Sequence, residues 1–369
     1  MARQRVFLTG ATGAMGWPGL KELLRADQEV VTLARPSKKN RRLLAPLAER
    51  ANLTIRWGDL TDYGDVAACV EAAEVVLHVG AFVSPAADYH PARAMAINYG
   101  STRNILRAVE AQGRQDDVKL VYIGTVAETG DRMPPIHWGR VGDPIKPSLY
   151  DYYAVSKVAA ERLVIESGLK HWVCLRQTGI IGPKMSEIED PIIFHACLDN
   201  VLEYVSDRDS AVLLANLCAK NAAGELGPSF WGHIFNIGGG EPCRISAYDM
   251  FVELFGLIGV KDLSKVFDSK WFATRNFHGT YYLDSDKLND ILQFRHDSMG
   301  YYYDCYLKTL GSAAKAAKLG ARLPGGQKMI GRSMRRRFQA LARGEHGTAT
   351  FIEENLEDRI AAYWGSRAA

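Results

Sequence analysis

Tyr153 and Lys157 stand four residues apart in SLYDYYAVSKVAAERLV, the stretch from Ser148 to Val164, which reads as a long helix. Side chains at i and i+4 share one helix face, one turn apart. An ammonium group beside a phenol favours the phenolate, which predicts a lowered Tyr153 pKa and a general acid/base near neutral pH. Tyr150 and Tyr152 are competing phenols, but neither has a lysine four residues on, so the spacing selects Tyr153. The spacing is common by chance in surface helices, and its meaning rests on the elements around it.

Those elements begin at the amino end. Arg5 to Thr9 is a short apolar run suited to a buried parallel strand. It breaks into Gly10-Ala11-Thr12-Gly13-Ala14-Met15-Gly16, then a helical segment through Leu20–Leu24, then a second strand, Glu29 to Leu33. Strand, glycine loop, helix and strand in this order form a βαβ dinucleotide unit. Glycine lets the backbone approach a pyrophosphate, which the helix amino terminus attracts. Pro18 sits comfortably only in a first helical turn, which predicts a helix start no earlier than about Met15.

The end of the second strand bears on the choice of cofactor. An NAD-preferring unit places Asp or Glu there, about twenty residues past the glycines. Here the chain reads Ala34-Arg35-Pro36-Ser37-Lys38-Lys39-Asn40-Arg41-Arg42, cationic and without a carboxylate. Arg35 with Ser37 or Lys38 suits a 2′-phosphate, because guanidinium geometry matches phosphate oxygens. NADP(H) is therefore expected over NAD(H); the alternative is a solvated basic loop.

Composition narrows the remaining classes. The 369 residues, 47% hydrophobic, are enough for a large core, and a net charge of +3 gives no global sign of nucleic acid. Six cysteines show no C-x-x-C spacing and read as buried thiols in a reducing compartment. Nine histidines never fall into H-x-x-x-H, so no metal site is expected. No apolar run approaches the ~18 residues of a membrane span, nor is there an apolar signal region ahead of the first strand. A cytoplasmic protein is the expectation.

The form TGATGAMG, G-x-x-G-x-x-G, resembles the extended short-chain dehydrogenase/reductase superfamily, which holds NAD(P)-dependent sugar-nucleotide epimerases, dehydratases and many carbonyl reductases. Further segments match in order: Gly58-Asp59-Leu60, Val75 to Ala81, Asn98-Tyr99-Gly100-Ser101-Thr102, Leu120 to Thr125, Leu175-Arg176 with Gly182-Pro183, and Phe235 to Gly240. The resemblance covers roughly residues 5 to 310. It implies an α/β fold, a Rossmann-type doubly wound parallel sheet with a smaller substrate-binding domain. It also implies a cofactor site of Gly10, Thr12, Gly13, Ala14, Met15, Gly16, Arg35, Ser37, Lys38, Asp59, Leu60, Val79, Gly80, Ala81, Asn98, Tyr153 and Lys157, with Asp59 meeting the adenine. The implied catalytic residues are Thr125, holding the reacting oxygen, Tyr153, moving the proton, and Lys157, lowering the tyrosine pKa and binding the nicotinamide ribose. Asn98 supports the lysine through water in related enzymes; a weaker role, helix capping, is expected here.

Two departures from the family pattern shape the expected chemistry. Dehydratases of the superfamily carry Thr-Asp-Glu after the fifth strand, where this chain reads Thr125-Val126-Ala127. Sugar-nucleotide enzymes commonly place an asparagine three residues after the arginine of L-R, where this chain has Gly179. The form L-R-x-[ST]-G looks more like reductases and hydroxysteroid-type dehydrogenases. The expected function is interconversion of a small-molecule carbonyl and alcohol by hydride transfer. The alternatives are an NAD-dependent sugar-nucleotide epimerase and a non-catalytic nucleotide sensor.

The expected organisation is a Rossmann domain over 1–182, with 205–240 returning to it, a substrate-binding part over 183–204 and 241–320, and a helical extension over 321–369. Two loops, 130–149 with Pro134, Pro135, His137 and Trp138, and 184–200, are expected as substrate walls. In the extension, Ile330, Met334, Phe338 and Leu341, then Phe351 to Trp364, show helical spacing beside several arginines. This predicts a hairpin packed on the body or on another subunit; a basic stripe lying on an anionic membrane is the alternative. Relatives often dimerise through the helices holding Asn98 and Tyr153, so a homodimer is possible.

Overall fold

The computed structural model describes residues 3–132, 136, 138–276 and 279–365. Seven short apolar segments pair in parallel: β1 (Arg5–Thr9), β2 (Glu29–Ala34), β3 (Leu53–Trp57), β4 (Val75–His78), β5 (Lys119–Thr125), β6 (His171–Gln177) and β7 (His233–Ile237). Their order across the sheet is β7-β6-β5-β4-β1-β2-β3. The chain winds outward from β1 through β2 to β3, then crosses back to lay β4 on the other side of β1. That reversal opens a crevice at the carboxyl ends of β1 and β4, where ligands of doubly wound sheets bind.

Helices cover both faces, so the central strands are buried on both sides and read as unbroken apolar runs. On one face, α1 (Gly16–Arg25) and α6 (Asp207–Ala222) pack Leu20, Leu23, Leu213 and Leu217 against Val6, Leu8 and Val121. On the other, α3 (Tyr63–Val70), α4 (Gly100–Ala111) and α5 (Tyr152–Ile165) pack Val66, Ile105, Ala160 and Val164 against Phe7, Val76 and Leu120. α2 (Lys38–Leu44) follows β2, with Ser37 as its N-cap. The expected start of α1 holds, with Pro18 in its first turn.

Beyond β6 the chain builds a second lobe. Gly179–Ile181, Val201–Ser206 and Arg244–Ser246 form a three-stranded sheet. Around it lie α7 (Ala247–Leu257), α8 (Asp286–Leu292), α9 (Met299–Leu310) and α10 (Ser312–Gly320). α11 (Gly326–Ala342) inserts Ile330, Met334, Phe338 and Leu341 into the core of this lobe, beside Phe194, Phe251, Phe255, Phe267 and Phe272. Phe338 meets Phe194, Phe255 and Phe267 nearly edge to face, at centroid separations of 6.1, 5.8 and 6.2 Å. Such pairs contribute ~0.5–1.5 kcal/mol each beyond their burial. The carboxyl-terminal helices are therefore part of the lobe's core.

One helix expected over 351–364 is two, α12 (Thr348–Glu353) and α13 (Glu357–Trp364), because Asn355 adopts a left-handed φ of 55° that ends the first. All six cysteines are buried and free. Among the described residues no helix is long and apolar enough to cross a membrane.

The glycine loop is held by backbone contact. A Cβ added at Gly16 would lie 2.1 Å from the Gly10 carbonyl oxygen, and one at Gly10, where φ is +70°, would lie 2.6 Å from Gly80 Cα. Neither neighbour is a flexible side chain. Gly16→Ala is expected to destabilise the fold by roughly 1–3 kcal/mol, read as a lower urea midpoint at unchanged slope.

Candidate active site

The crevice between the lobes is one continuous cavity of about 2040 Å³. Single-ligand pockets usually span ~300–1,000 Å³, so this volume accommodates a dinucleotide and a second molecule together. Gly10, Thr12, Gly13, Ala14, Met15, Gly16, Arg35, Asp59, Leu60, Val79, Gly80 and Ala81 all line it, as do Thr125, Tyr153 and Lys157. Ser37 lines a smaller pocket beside it, together with Thr12, Arg35, Lys39 and Asn40. Lys38 lines neither; Lys39, one residue on, takes the place that sequence reading gave it.

The residues fit a dinucleotide. Gly13 is the loop position where an added Cβ would meet only the Gly10 carbonyl oxygen, at 3.1 Å, leaving the backbone open to a ligand. Farther in, Gln177 Oε1 and Thr178 Oγ1 are buried without a hydrogen-bond partner, on residues that line the cavity. Buried polar atoms of this kind call for a polar ligand group or water. Sequence reading missed them, and missed Lys184, whose Nζ donates to the Thr12 carbonyl at 2.7 Å. Burial, with Lys39 nearby, lowers the Lys184 pKa. Its one sequence signal was its place directly after Gly182-Pro183.

Thr125 ends β5 and caps a short turn, accepting from Ala127 N at 3.2 Å. Tyr153 enters from the first turn of α5, whose N-cap is Asp151, and its phenol shares a hydrogen bond with Thr125. The expected lowering of its pKa is not found. Burial raises it well above the ordinary phenol value, opposed by the Thr125 bond and reinforced by Glu128, Asp151 and Asp88. Lys157 directs its ammonium elsewhere: Nζ donates to the Ile123 carbonyl at 2.7 Å and lies 4.1 Å from the Tyr122 ring centroid. Burial pulls the Lys157 pKa down to about 8, with Glu128 and Glu161 opposing.

Asn98 stands differently from its expected place. It does not line the cavity and caps no helix. From a π-helical turn, Met95–Tyr99, it donates to Phe82 O at 2.9 Å and Ser156 Oγ at 2.8 Å, and accepts from Phe82 N at 2.7 Å. Ser156 Oγ in turn donates to the Tyr153 carbonyl at 2.7 Å. Asn98 thus ties the loop after β4 to the helix carrying Tyr153.

Beneath the site lies a buried charge cluster. Arg176 donates to Glu161 through Nε at 3.1 Å and Nη2 at 2.6 Å, and its Nε lies 3.4 Å from Glu128 Oε2. Glu128 Oε1 accepts from Thr125 N at 3.1 Å, closing a capping box around the end of β5. Burial and the neighbouring Glu161 raise the Glu128 pKa well above the ordinary carboxylate value, with Arg176 and Lys157 opposing. Glu128 does not line the cavity, and Val126 and Ala127 stand where dehydratases carry acids.

The second lobe lines the cavity with many apolar side chains. α7 contributes Met250, Phe251, Leu254 and Phe255, α9 contributes Tyr302 and Tyr306, and α11 contributes Phe338. The expected wall 184–200 lines it through Met185, Ile188, Ile192 and Ile193. The other expected wall does not: no described residue of 130–149 lines the cavity, and Trp138 pairs with Tyr281 in a two-residue ladder. Pro134, Pro135 and His137 lie outside the described residues. At Gly179, paired in register with Tyr204, an added Cβ would lie 2.8 Å from the Tyr204 ring.

Residues 6–213 match the model of the NAD dependent epimerase/dehydratase family. Among curated proteins, the chain is 30% identical over 185 residues to a GDP-6-deoxy-D-mannose reductase of Pseudomonas aeruginosa, covering 49% of this chain and 53% of that one. It is 26% identical over 208 residues to a 3-beta-hydroxysteroid dehydrogenase of Mycolicibacterium neoaurum, covering 54% and 52%. The chain spans about half the length of these relatives. Solved structures sharing the fold include a dTDP-glucose 4,6-dehydratase from Streptomyces venezuelae with NAD bound, at 20% identity and TM-score 0.65, covering 84% of this chain and 98% of that one. A UDP-Glc/GlcNAc 4-epimerase from Campylobacter jejuni aligns at 16% identity and TM-score 0.64, covering 85% and 99%.

The depressed Lys157 pKa has a consequence for stability. The unfolded lysine titrates near 10.5 and the folded one near 8, so between these values the unfolded chain binds more protons and stability rises with pH. The penalty for the buried charge is full below about 8. In urea titrations from pH 7 to 10, Lys157→Met is expected to be more stable than the parent at the low end, with the gap closing as pH rises.

Proposed function

Because the chain belongs to the NAD dependent epimerase/dehydratase family, we propose that it is an NADP(H)-dependent oxidoreductase acting on a bulky, apolar carbonyl or alcohol. The observation that carries this reading is the substrate half of the cavity, walled by Met250, Phe251, Leu254, Phe255 and Phe338. The Gly179–Tyr204 packing supports it, since the ring fills the space where sugar-nucleotide enzymes commonly project an asparagine. The hydroxysteroid dehydrogenase among its relatives acts on a molecule of the same apolar character.

When bound, the nicotinamide supplies or accepts the hydride. The chain's residues handle everything around that transfer. Thr125 donates a hydrogen bond to the reacting oxygen and fixes it beside Tyr153. The raised Tyr153 pKa keeps the phenol protonated at neutral pH, which suits a proton donor to the alkoxide formed on reduction. Lys157 lines the cavity and remains a cation below about pH 8, which suits it to hold the ribose. The apolar wall excludes water and strengthens each of these polar contacts. Arg35, Ser37 and Lys39 form the site for a 2′-phosphate.

Tyr153→Phe separates this reading from a nucleotide sensor on the same fold. It is expected to retain NADPH binding and lose ~10²–10⁴-fold in rate, measured by NADPH consumption against a panel of hydrophobic ketones and aldehydes. An unchanged rate would sink the assignment. For the cofactor, fluorescence titration is expected to show NADPH binding more tightly than NADH, with Arg35→Glu reversing the order. Tighter NADH binding by the parent chain counts against NADP(H).

A further inference from the structure

From Tyr306 to Gly344 the chain carries ten lysines and arginines and not one aspartate or glutamate. Three of the ten meet acids of the body: Arg335 with Asp268, Arg337 with Glu189 and Arg343 with Glu353. The other seven are exposed and make no ion pair with a described acid.

Their placement follows the helices. In α11, Ile330, Met334, Phe338 and Leu341 face the core, which leaves Lys328, Met329, Arg332 and Arg336 on the opposite stripe. In α10, Ala314 and Ala317 face the same core, while Lys315, Lys318 and Leu319, with Arg322 just beyond, lie outward. At the turn between the two helices three large apolar side chains stand in solvent: Leu319 at 64%, Leu323 at 62% and Met329 at 68% exposure. The turn itself is tightly built. A Cβ at Gly326 would lie 1.9 Å from the Gly320 carbonyl oxygen, so the apolar tip is held in one shape.

We propose that this α10–α11 hairpin docks the enzyme on an anionic lipid bilayer. An apolar tip ringed by unneutralised cations matches the interface, where the side chains enter the acyl boundary and the cations meet phosphate and carboxylate headgroups. Nucleic acid would use the cations but gives no burial to Leu319, Leu323 and Met329. A second copy of this chain would set two cationic faces against each other. The far side of α11 bears Phe338, which lines the substrate cavity, so a single helix connects the docked face to the apolar chamber. A substrate dissolved in the bilayer would then need no transit through water.

The test is co-sedimentation of the full chain with vesicles of phosphatidylcholine alone and of phosphatidylcholine with phosphatidylserine. Binding is expected only to the anionic vesicles and is expected to weaken as salt rises. Each cation contributes about fivefold to the partition, so the combined variant Lys318→Glu, Arg322→Glu, Lys328→Glu, Arg332→Glu should fall below detection. The variant Leu319→Ser, Leu323→Ser, Met329→Ser should lose at least tenfold with its cations intact. Both variants change exposed positions, and an unchanged thermal midpoint and NADPH affinity establish that they fold. Absence of binding to anionic vesicles overturns the proposal. So does anionic binding indifferent to the serine variant, tighter binding to a random DNA duplex than to vesicles, or a doubled mass in solution that the same variants abolish. The readout is partition rather than turnover, so its failure leaves the oxidoreductase reading untouched.

Discussion

The site rests on a buried cluster of charge. Arg176, Glu161, Glu128 and Lys157 bring two cations and two acids together beneath the ends of β5 and β6, nearly all out of water. Removing Arg176 or Glu161 leaves its partner as an uncompensated buried charge, at a cost of ~3–5 kcal/mol. Arg176 bridges the strand it sits on to Glu161 of α5, and Glu128 reaches back to the amide of Thr125. The Thr125 hydroxyl, Tyr153 phenol and Lys157 ammonium therefore hang from one electrostatic knot. Their mutual geometry is fixed by groups that never enter the cavity.

That knot also explains why Lys157 acts differently from the simple picture of an ammonium beside a phenol. Arg176 already takes Glu161 in a two-pronged bond, and Glu128 turns one carboxyl oxygen to the Thr125 amide. Lys157 is left with a carbonyl and an aromatic face as partners. Its charge is retained by weak acceptors and is sensitive to whatever occupies the crevice.

How much the sequence disclosed follows from how local each signal is. The glycine loop, the Asp59-Leu60 turn and Val79 to Ala81 are short motifs at strand ends, and all of them meet at the crevice because a parallel sheet gathers its carboxyl ends. Tyr153 and Lys157 were legible because i and i+4 is a helix geometry. Segment 184–200 was legible as a wall, but the share from α7, α9 and α11 was not, since Phe251, Tyr302 and Phe338 are separated by dozens of residues and converge only through tertiary packing. Loop 130–149 misled because proline and aromatic content describes a packed loop as well as a binding wall. The Tyr153 pKa was misjudged because burial, the larger influence, is invisible in a spacing. Asn98 was placed by analogy in the cleft, and it is its bonds to Phe82 and Ser156 that draw it behind the wall.

The contact between Gly179 and Tyr204 couples two positions that lie 25 residues apart in the chain and side by side in a ladder. A larger residue at 179 requires the ring to shift, and loss of the ring alone opens a void. Each single change is unfavourable, whereas the pair of changes is not subject to the same clash. Tolerance of substitution at this point is thus an epistatic trait. A scan of single substitutions would report both positions as merely intolerant.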